Sequence, residues 1–224
     1  PYRDELCGTV RFLFQAAEET SMGSLYFIDH GCLDGVDAAF GMHIWSGLEA
    51  PLISVESGPR MSACDNFELT VHGTAAHGAS PHLGCDAIVA AAAAVTQLQG
   101  YVARRHDAFQ PLVITVGTIH GGEQFNIVAD TVTMTGTARC FDPALRARLE
   151  GDLSALFSAA CLPSGCTAEL KWIPTARAVS NDNAALTAIG RHAAETLYGP
   201  EGLGHLPPVM VSEDFAFYGE HVPT

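Results

Sequence analysis

Phe67-Glu68-Leu69-Thr70-Val71-His72 alternates strictly, with Phe67, Leu69 and Val71 on one side and Glu68, Thr70 and His72 on the other. A period of two is the mark of a strand with one face buried and one face in water. Downstream, a long helix is predicted from about Asp86, and its alanine run Ala90–Ala94 is ordinary helix. Two more strands are predicted over Leu112–Ile119 and Asp130–Phe141, the second with Val132, Met134 and Ala138 opposite Thr131, Thr133, Thr135, Thr137 and Arg139. A helix from Pro143 to about Ala160 and an alternating strand Thr167–Trp172 follow, and Pro174 ends the unit. The order β-α-β-β-α-β predicts a ferredoxin-like α+β domain over about 61–173.

Outside that unit the pattern changes. Gly8-Thr-Val-Arg-Phe-Leu-Phe-Gln15 is almost continuously apolar, which predicts a strand buried in a parallel sheet. Thr20 or Ser21 is placed to cap a helix carrying Met22, Leu25, Tyr26 and Ile28, with Gly31 as its stop. A second apolar run, Ala38–Ile44, completes a βαβ unit. After Pro174, a helix with Leu186, Ile189, Ala193 and Leu197 is expected behind a cap at Asn181 or Asn183. The predicted fold is therefore an α/β domain in two parts, 1–60 and 174–224, interrupted by the α+β unit at 61–173.

With 25 Asp plus Glu against 11 Lys plus Arg, the 224-residue chain carries a formal charge of −14. Clustered cations drive both nucleic-acid binding and attraction to anionic lipid, so neither partner is expected. Hydrophobic residues make up 48% of the chain and its mean hydropathy is +0.18, which provides for a buried core. No apolar run approaches the roughly 20 residues that span a bilayer. The seven cysteines are odd in number and scattered, which reads as reduced thiols and a cytoplasmic location. The chain opens on Pro1 without a leader pattern and stops at Thr224 in what reads as mid-element, so a piece of a longer protein is expected.

Open parallel sheets bind ligands outside the carboxyl ends of their strands. Both strands of the first unit end in polar groups, Glu18-Glu19 and His43. Carboxylate and imidazole are ligands for zinc or manganese, and a spare carboxylate beside the metal can take a proton from water. The same residues also fit an acidic helix start beside a satisfied core histidine. Gly73-Thr-Ala-Ala-His77-Gly-Ala-Ser-Pro-His82 is a small-residue loop, either functional or a plain solvent-exposed connection. The glycines of Gly121-Gly122-Glu-Gln-Phe-Asn126 read as turn residues, since the strand-to-helix context of a dinucleotide site is missing. Arg139 ends a polar row on its strand, where a solvated cation is the plain reading.

Taken together, Gln15-Ala-Ala-Glu18-Glu19, Gly41-Met-His43-Ile-Trp45, the His77 loop, Gly122–Asp130, Gly136-Thr-Ala-Arg139-Cys-Phe141 and Val211-Ser-Glu213-Asp214-Phe215 resemble, in order, motifs of a known family. It is the amidohydrolase branch of the aminoacylase and glutamate-carboxypeptidase superfamily, with hippurate hydrolase and indole-acetyl-amino-acid hydrolase among its members. Ala16 and Ser46 stand where that branch has proline, and Thr74-Ala75-Ala76 replaces a lysine- and glycine-rich stretch.

The resemblance implies a metal-dependent hydrolase of N-acyl amino acids, with one or two divalent ions, zinc or manganese. By resemblance, Glu18 is the general base, Glu19 and His43 are metal ligands, and His77 stabilises the oxyanion, in some relatives across a dimer interface. Asn126 and Arg139 look like substrate-holding groups. The outer parts of the chain then resemble the catalytic domain, and the inserted unit a lid and dimerisation domain. A Cys and His ligand pair is expected upstream of Pro1, and a last His ligand downstream of Thr224. A dipeptidase or carboxypeptidase of the same superfamily, and a metal-free binding module, are the alternatives.

Overall fold

The computed structural model describes residues 3–224. Its first helix, α1 (Gly23–Asp29), stops where the sequence asks it to. Gly31 adopts φ 75°, donating its N–H to Ile28 O while Cys32 N–H donates to Phe27 O, the paired bonds of a left-handed helix stop. The start differs from expectation. Ser21 sits in the left-handed region at φ 54°, and Met22 takes the cap position without a side-chain hydrogen bond. Glu18–Thr20 forms a separate 3-10 turn ahead of it.

Among the described residues, the two strands predicted over Gly8–Gln15 and Ala38–Ile44 do not form. Phe12 and Phe14 are 78% and 89% exposed, Met42 and Ile44 96% and 92%. A parallel strand exists only through its ladder partners, and here neither run finds one. The βαβ unit is thus reduced to its helix and two runs without regular structure.

Next come β1 (Gly58–Met61), β2 (Ala63–His72) and the short β3 (Ala76–His77), followed by α2 (Ala87–Arg104). Then follow β4 (Leu112–Gly121), β5 (Ile127–Val128), β6 (Thr131–Cys140), α3 (Pro143–Cys161) and β7 (Thr167–Pro174). The described chain closes with β8 (Val179–Asn181), α4 (Ala184–Tyr198) and a 3-10 turn at Asp214–Glu220. Four of the strands make an antiparallel sheet in the order β4-β6-β2-β7. That order, with a helix in each crossover, is the β-α-β-β-α-β arrangement expected from the sequence.

The alternation in β2 decides which face is covered. Phe67, Leu69 and Val71 are buried beneath α2 and α3, while Glu68 pairs with Lys171 on the open face. Helix α2 buries Ala87, Ala90, Ala91 and Ala94, small side chains that let it lie close on the sheet, and then Leu98. Helix α3 buries Leu145, Leu149, Leu153 and Phe157, one per turn. Phe67 lies 6.2 Å from Phe157 and stacks on Trp172 at 6.3 Å. Gly136 makes room for that ring, since a Cβ there would fall 2.3 Å from Phe67 Cζ. Asp86, Asp142 and Asn183 cap their helices through side-chain oxygens. In α4 the expected apolar residues Ile189 and Leu197 remain 58% and 65% exposed.

Strand β1 pairs antiparallel with β8, so the chain enters and leaves the four-stranded unit side by side. Ser62 N–H donates to Val209 O and Val211 O, and Val209 N–H to Arg60 O. These bonds hold the segment leading to Glu213 against the base of the sheet. No helix of the described residues is long and apolar enough to cross a membrane.

Candidate active site

The run from Gly8 ends in a tight corner. Ala17 takes φ 61°, the Glu18–Thr20 turn follows, and Ser21 is again left-handed. Gly23 makes the corner possible, because a Cβ there would fall 1.9 Å from Ala16 O. The corner meets the start of the Asp214–Glu220 turn, where Glu213 caps by accepting from Phe215 N–H. Ligand oxygens of Glu18, Glu213 and Asp214 consequently lie within 4.8 Å of one another.

The three carboxylates are not equivalent. Asp214 is fully buried and satisfied by neutral donors: Gln15 Nε2 at 2.7 and 2.9 Å, and Ser24 N–H at 3.0 Å. Glu213 faces Glu18, and burial first, then the Glu18 charge, push its carboxyl above the ordinary carboxylate range. The Phe215 N–H and His43 act in the opposite direction.

His43 extends the group. Its Nε2 lies 3.8 Å from Glu213 Oε2, and its Nδ1 lies 2.6 Å from Ile44 O. A carbonyl only accepts, so Nδ1 donates to Ile44 O, and Nε2 is the ring nitrogen turned towards Glu213. Trp45 packs its ring edge-on at 5.5 Å, and Gly41 leaves space for the Phe215 ring beneath the same segment. Glu19 is exposed and stands outside the carboxylate group.

His77 and Asn126 form a second cluster. Strand β3 pairs with β5, and Gly78 N–H donates to Asn126 O at 2.7 Å. Ala79 N–H donates to His77 Nδ1 at 3.0 Å, so a neutral ring keeps its proton on Nε2. Both side chains are exposed. Arg139 donates from a guanidinium nitrogen to Met210 O at 3.1 Å, which places it beside the segment running into Glu213. No hydrogen bond among the described residues joins the His77 cluster to the Glu18 cluster.

Glu213 and Asp214 were legible only as part of a motif. A Ser-Glu-Asp string before an aromatic run also reads as a helix cap, and nothing local tells that Glu213 will face Glu18 across about 195 residues of chain.

Two carboxylates in opposition, one of them desolvated, with an imidazole nitrogen beside them, are groups of the kind that hold a divalent cation. One ion about 2.0–2.2 Å from each of two donors spans up to about 4.4 Å; Glu213 and His43, 3.8 Å apart, fit such a group as a partial ligand set, with Glu18 beside them. The comparisons fix the family: residues 2–224 match the profile of peptidase family M20/M25/M40, and the chain belongs to it. Among its relatives, the N-acetyl-L-cysteine deacetylase of Bacillus subtilis is 35% identical over 99% of this chain and 52% of its own length. IAA-amino acid hydrolase ILR1-like 5 of Arabidopsis thaliana is 31% identical over 99% of this chain and 52% of its own length. A solved structure of a dinuclear metal binding peptidase of the M20 family from Bacillus subtilis aligns with TM-score 0.81 and 32% identity, over 99% of this chain and 55% of that one. The chain thus spans about half the length of the relatives it matches.

Proposed function

We propose that the protein to which this chain belongs hydrolyses the amide bond of N-acyl amino acids, releasing a carboxylic acid and an amino acid. The observation that carries this reading is Glu18 set against the desolvated Glu213, with Nε2 of His43 3.8 Å from the latter. The relatives named for acting on an N-acetylated and an IAA-conjugated amino acid support the substrate class. One or two divalent ions, zinc or manganese, would be held by Glu19 and His43, with Glu213 joining them; Glu19, exposed beside Glu18, would have to turn in towards the other two. When bound, such an ion supplies positive charge that polarises the scissile carbonyl and acidifies water.

The chain's own residues do the rest. Glu18 takes the proton from the attacking water and later delivers it to the departing amine. His77, with its Nδ1 occupied by Ala79 N–H, presents Nε2–H to the developing oxyanion. Asn126, tied to the same loop, orients the substrate, and Arg139 reads the free carboxylate of the amino-acid part. The outer segments 1–60 and 174–224 act as the catalytic domain, with 61–173 as a lid through which two copies pair. Seven free thiols suit a reducing, cytoplasmic setting.

The test is hydrolysis of N-acetylcysteine, hippurate and simple dipeptides by the complete protein, each assayed before and after chelation. Loss of Glu18 as a base in Glu18→Gln lowers turnover about 10²–10⁴-fold with cation uptake retained. Near-normal turnover by that variant removes the role. A preference for dipeptides over acyl amino acids makes the protein a peptidase of the same family, and absence of both activities favours a binding module.

A further inference from the structure

We propose that Asp214, although it belongs to the three-carboxylate group, is not a cation ligand but a positioning residue that locks the Glu18 corner in place through Gln15 and Ser24. This inference rests on the hydrolase reading above, in which Glu18 is the base.

The hydrogen bonds already occupy its oxygens. Gln15 Nε2 donates to both Oδ1 and Oδ2, and Ser24 N–H adds a second bond to Oδ2, in a site with no exposure. Both acceptor positions on Oδ2 are thus taken and one on Oδ1, so a cation could meet only the remaining position on Oδ1, beside the part-buried Gln15 amide. The orientation of Gln15 is itself fixed from the other side, because Tyr218 Oη donates to Gln15 Oε1 at 2.5 Å. A buried carboxylate can only accept, and a phenol donating to Oε1 leaves the Gln15 amide nitrogen to point at Asp214. The chain Tyr218–Gln15–Asp214–Ser24 therefore has one consistent donor–acceptor assignment.

What it clamps is the corner that presents Glu18. Gln15 precedes that corner and Ser24 follows it, so one carboxylate ties both flanks of residues 16–23. Inside the clamp are Ala17 and Ser21, the two non-glycine residues with left-handed φ among the described residues. Such conformations are strained for a residue with a Cβ and persist only where surrounding contacts over-determine them. Asp214 and Tyr218 both lie in or at the turn headed by Glu213, so the same contact sets the spacing between Glu18 and Glu213.

The experiment uses the complete protein with two readouts, amide hydrogen exchange in chelator and Mn²⁺ affinity by titration. In Asp214→Asn the new amide faces the Gln15 amide donor to donor. Exchange over residues 16–24 is expected to rise about tenfold to hundredfold, and Mn²⁺ affinity to fall about tenfold or more. The double variant Gln15→Glu/Asp214→Asn restores complementarity: the new carboxylate at 15 accepts from the new amide at 214 and from Tyr218 Oη, while Ser24 N–H keeps an acceptor. It should recover both readouts to within about threefold of wild type, as no mere loss of stability would. Should Asp214→Asn fail to fold, Tyr218→Phe loosens the same corner, and faster exchange confined to residues 16–24 is the expected result. Reduced Mn²⁺ affinity in Asp214→Asn with unchanged exchange would make Asp214 a ligand and overturn the proposal, as would a folded double variant that recovers neither readout. Wild-type protein that shows the exchange pattern yet binds no Mn²⁺ upholds the clamp and overturns the metal reading.

Discussion

Replacing Glu213 by Gln should make the cation-free protein more stable and its cation site weaker. Glu213 is 18% exposed at its side chain, and its oxygens come within 4.8 Å of Glu18. Two unit charges at that distance repel by about 3–4 kcal/mol at an effective dielectric constant near 20. His43 and the partly open side of Glu18 reduce this, leaving about 1–2 kcal/mol of net gain on neutralisation. In a chain of this size that raises Tm by about 2–8 °C. The amide oxygen of Gln still accepts from Phe215 N–H, so the cap survives the change.

The pH dependence follows from the direction of the Glu213 shift. Its carboxyl titrates higher folded than unfolded, so the folded state holds this proton more tightly. The penalty is absent at pH below the ordinary carboxylate range, appears as pH rises through it, and is complete above the raised folded value. The advantage of Glu213→Gln should therefore be present at pH 7 and vanish in acid. Excess Mn²⁺ should reverse the ranking, since a ligand at about 100 times its Kd stabilises the wild type by about 2.7 kcal/mol. The assay is thermal and denaturant unfolding in chelator and in Mn²⁺. A variant no more stable than wild type in chelator, or one stabilised equally by Mn²⁺, would refute the reasoning.

Asp65, 3% exposed, receives two bonds from Arg146, at 2.9 and 2.5 Å, and a third from Thr175 N–H. Asp65→Ala leaves a half-buried guanidinium unpaired and should cost about 3–5 kcal/mol in urea unfolding. Arg139→Ala should weaken hydrolysis of an N-acyl amino acid far more than that of its neutral amide analogue, with Arg139→Lys recovering part of the loss, because only the guanidinium offers a planar fork to a carboxylate. Equal losses for both substrates would assign Arg139 to its bond with Met210 O. Mixing inactive His77→Ala and Glu18→Gln chains of the complete protein should restore activity in mixed dimers if His77 serves the neighbouring site; no recovery after proven subunit exchange would place the two residues in one protomer's site.

The four-stranded unit was legible from the sequence because its signals are local. Strict alternation in Phe67–His72 and Thr131–Arg139, the helix starts near Asp86 and Pro143 and the stop at Pro174 specify elements that then pack on each other. The run Gly8–Gln15 carries an equally strong apolar signal, yet it stays outside any sheet and largely exposed. A parallel strand is defined by partners distant in the chain, and composition records the wish for burial without supplying the neighbour. The same limit divides the site. Glu18, Glu19 and His43 stood out through their motifs, whereas the place of Glu213 opposite Glu18, the burial that raises its carboxyl and the withdrawal of Asp214 into bonds with Gln15 and Ser24 arise only when residues 15–24 and 213–218 meet. Charge, alternation and capping are properties of neighbouring residues and can be read in order. Desolvation and donor–acceptor pairing between segments nearly 200 residues apart are decided by the tertiary fold.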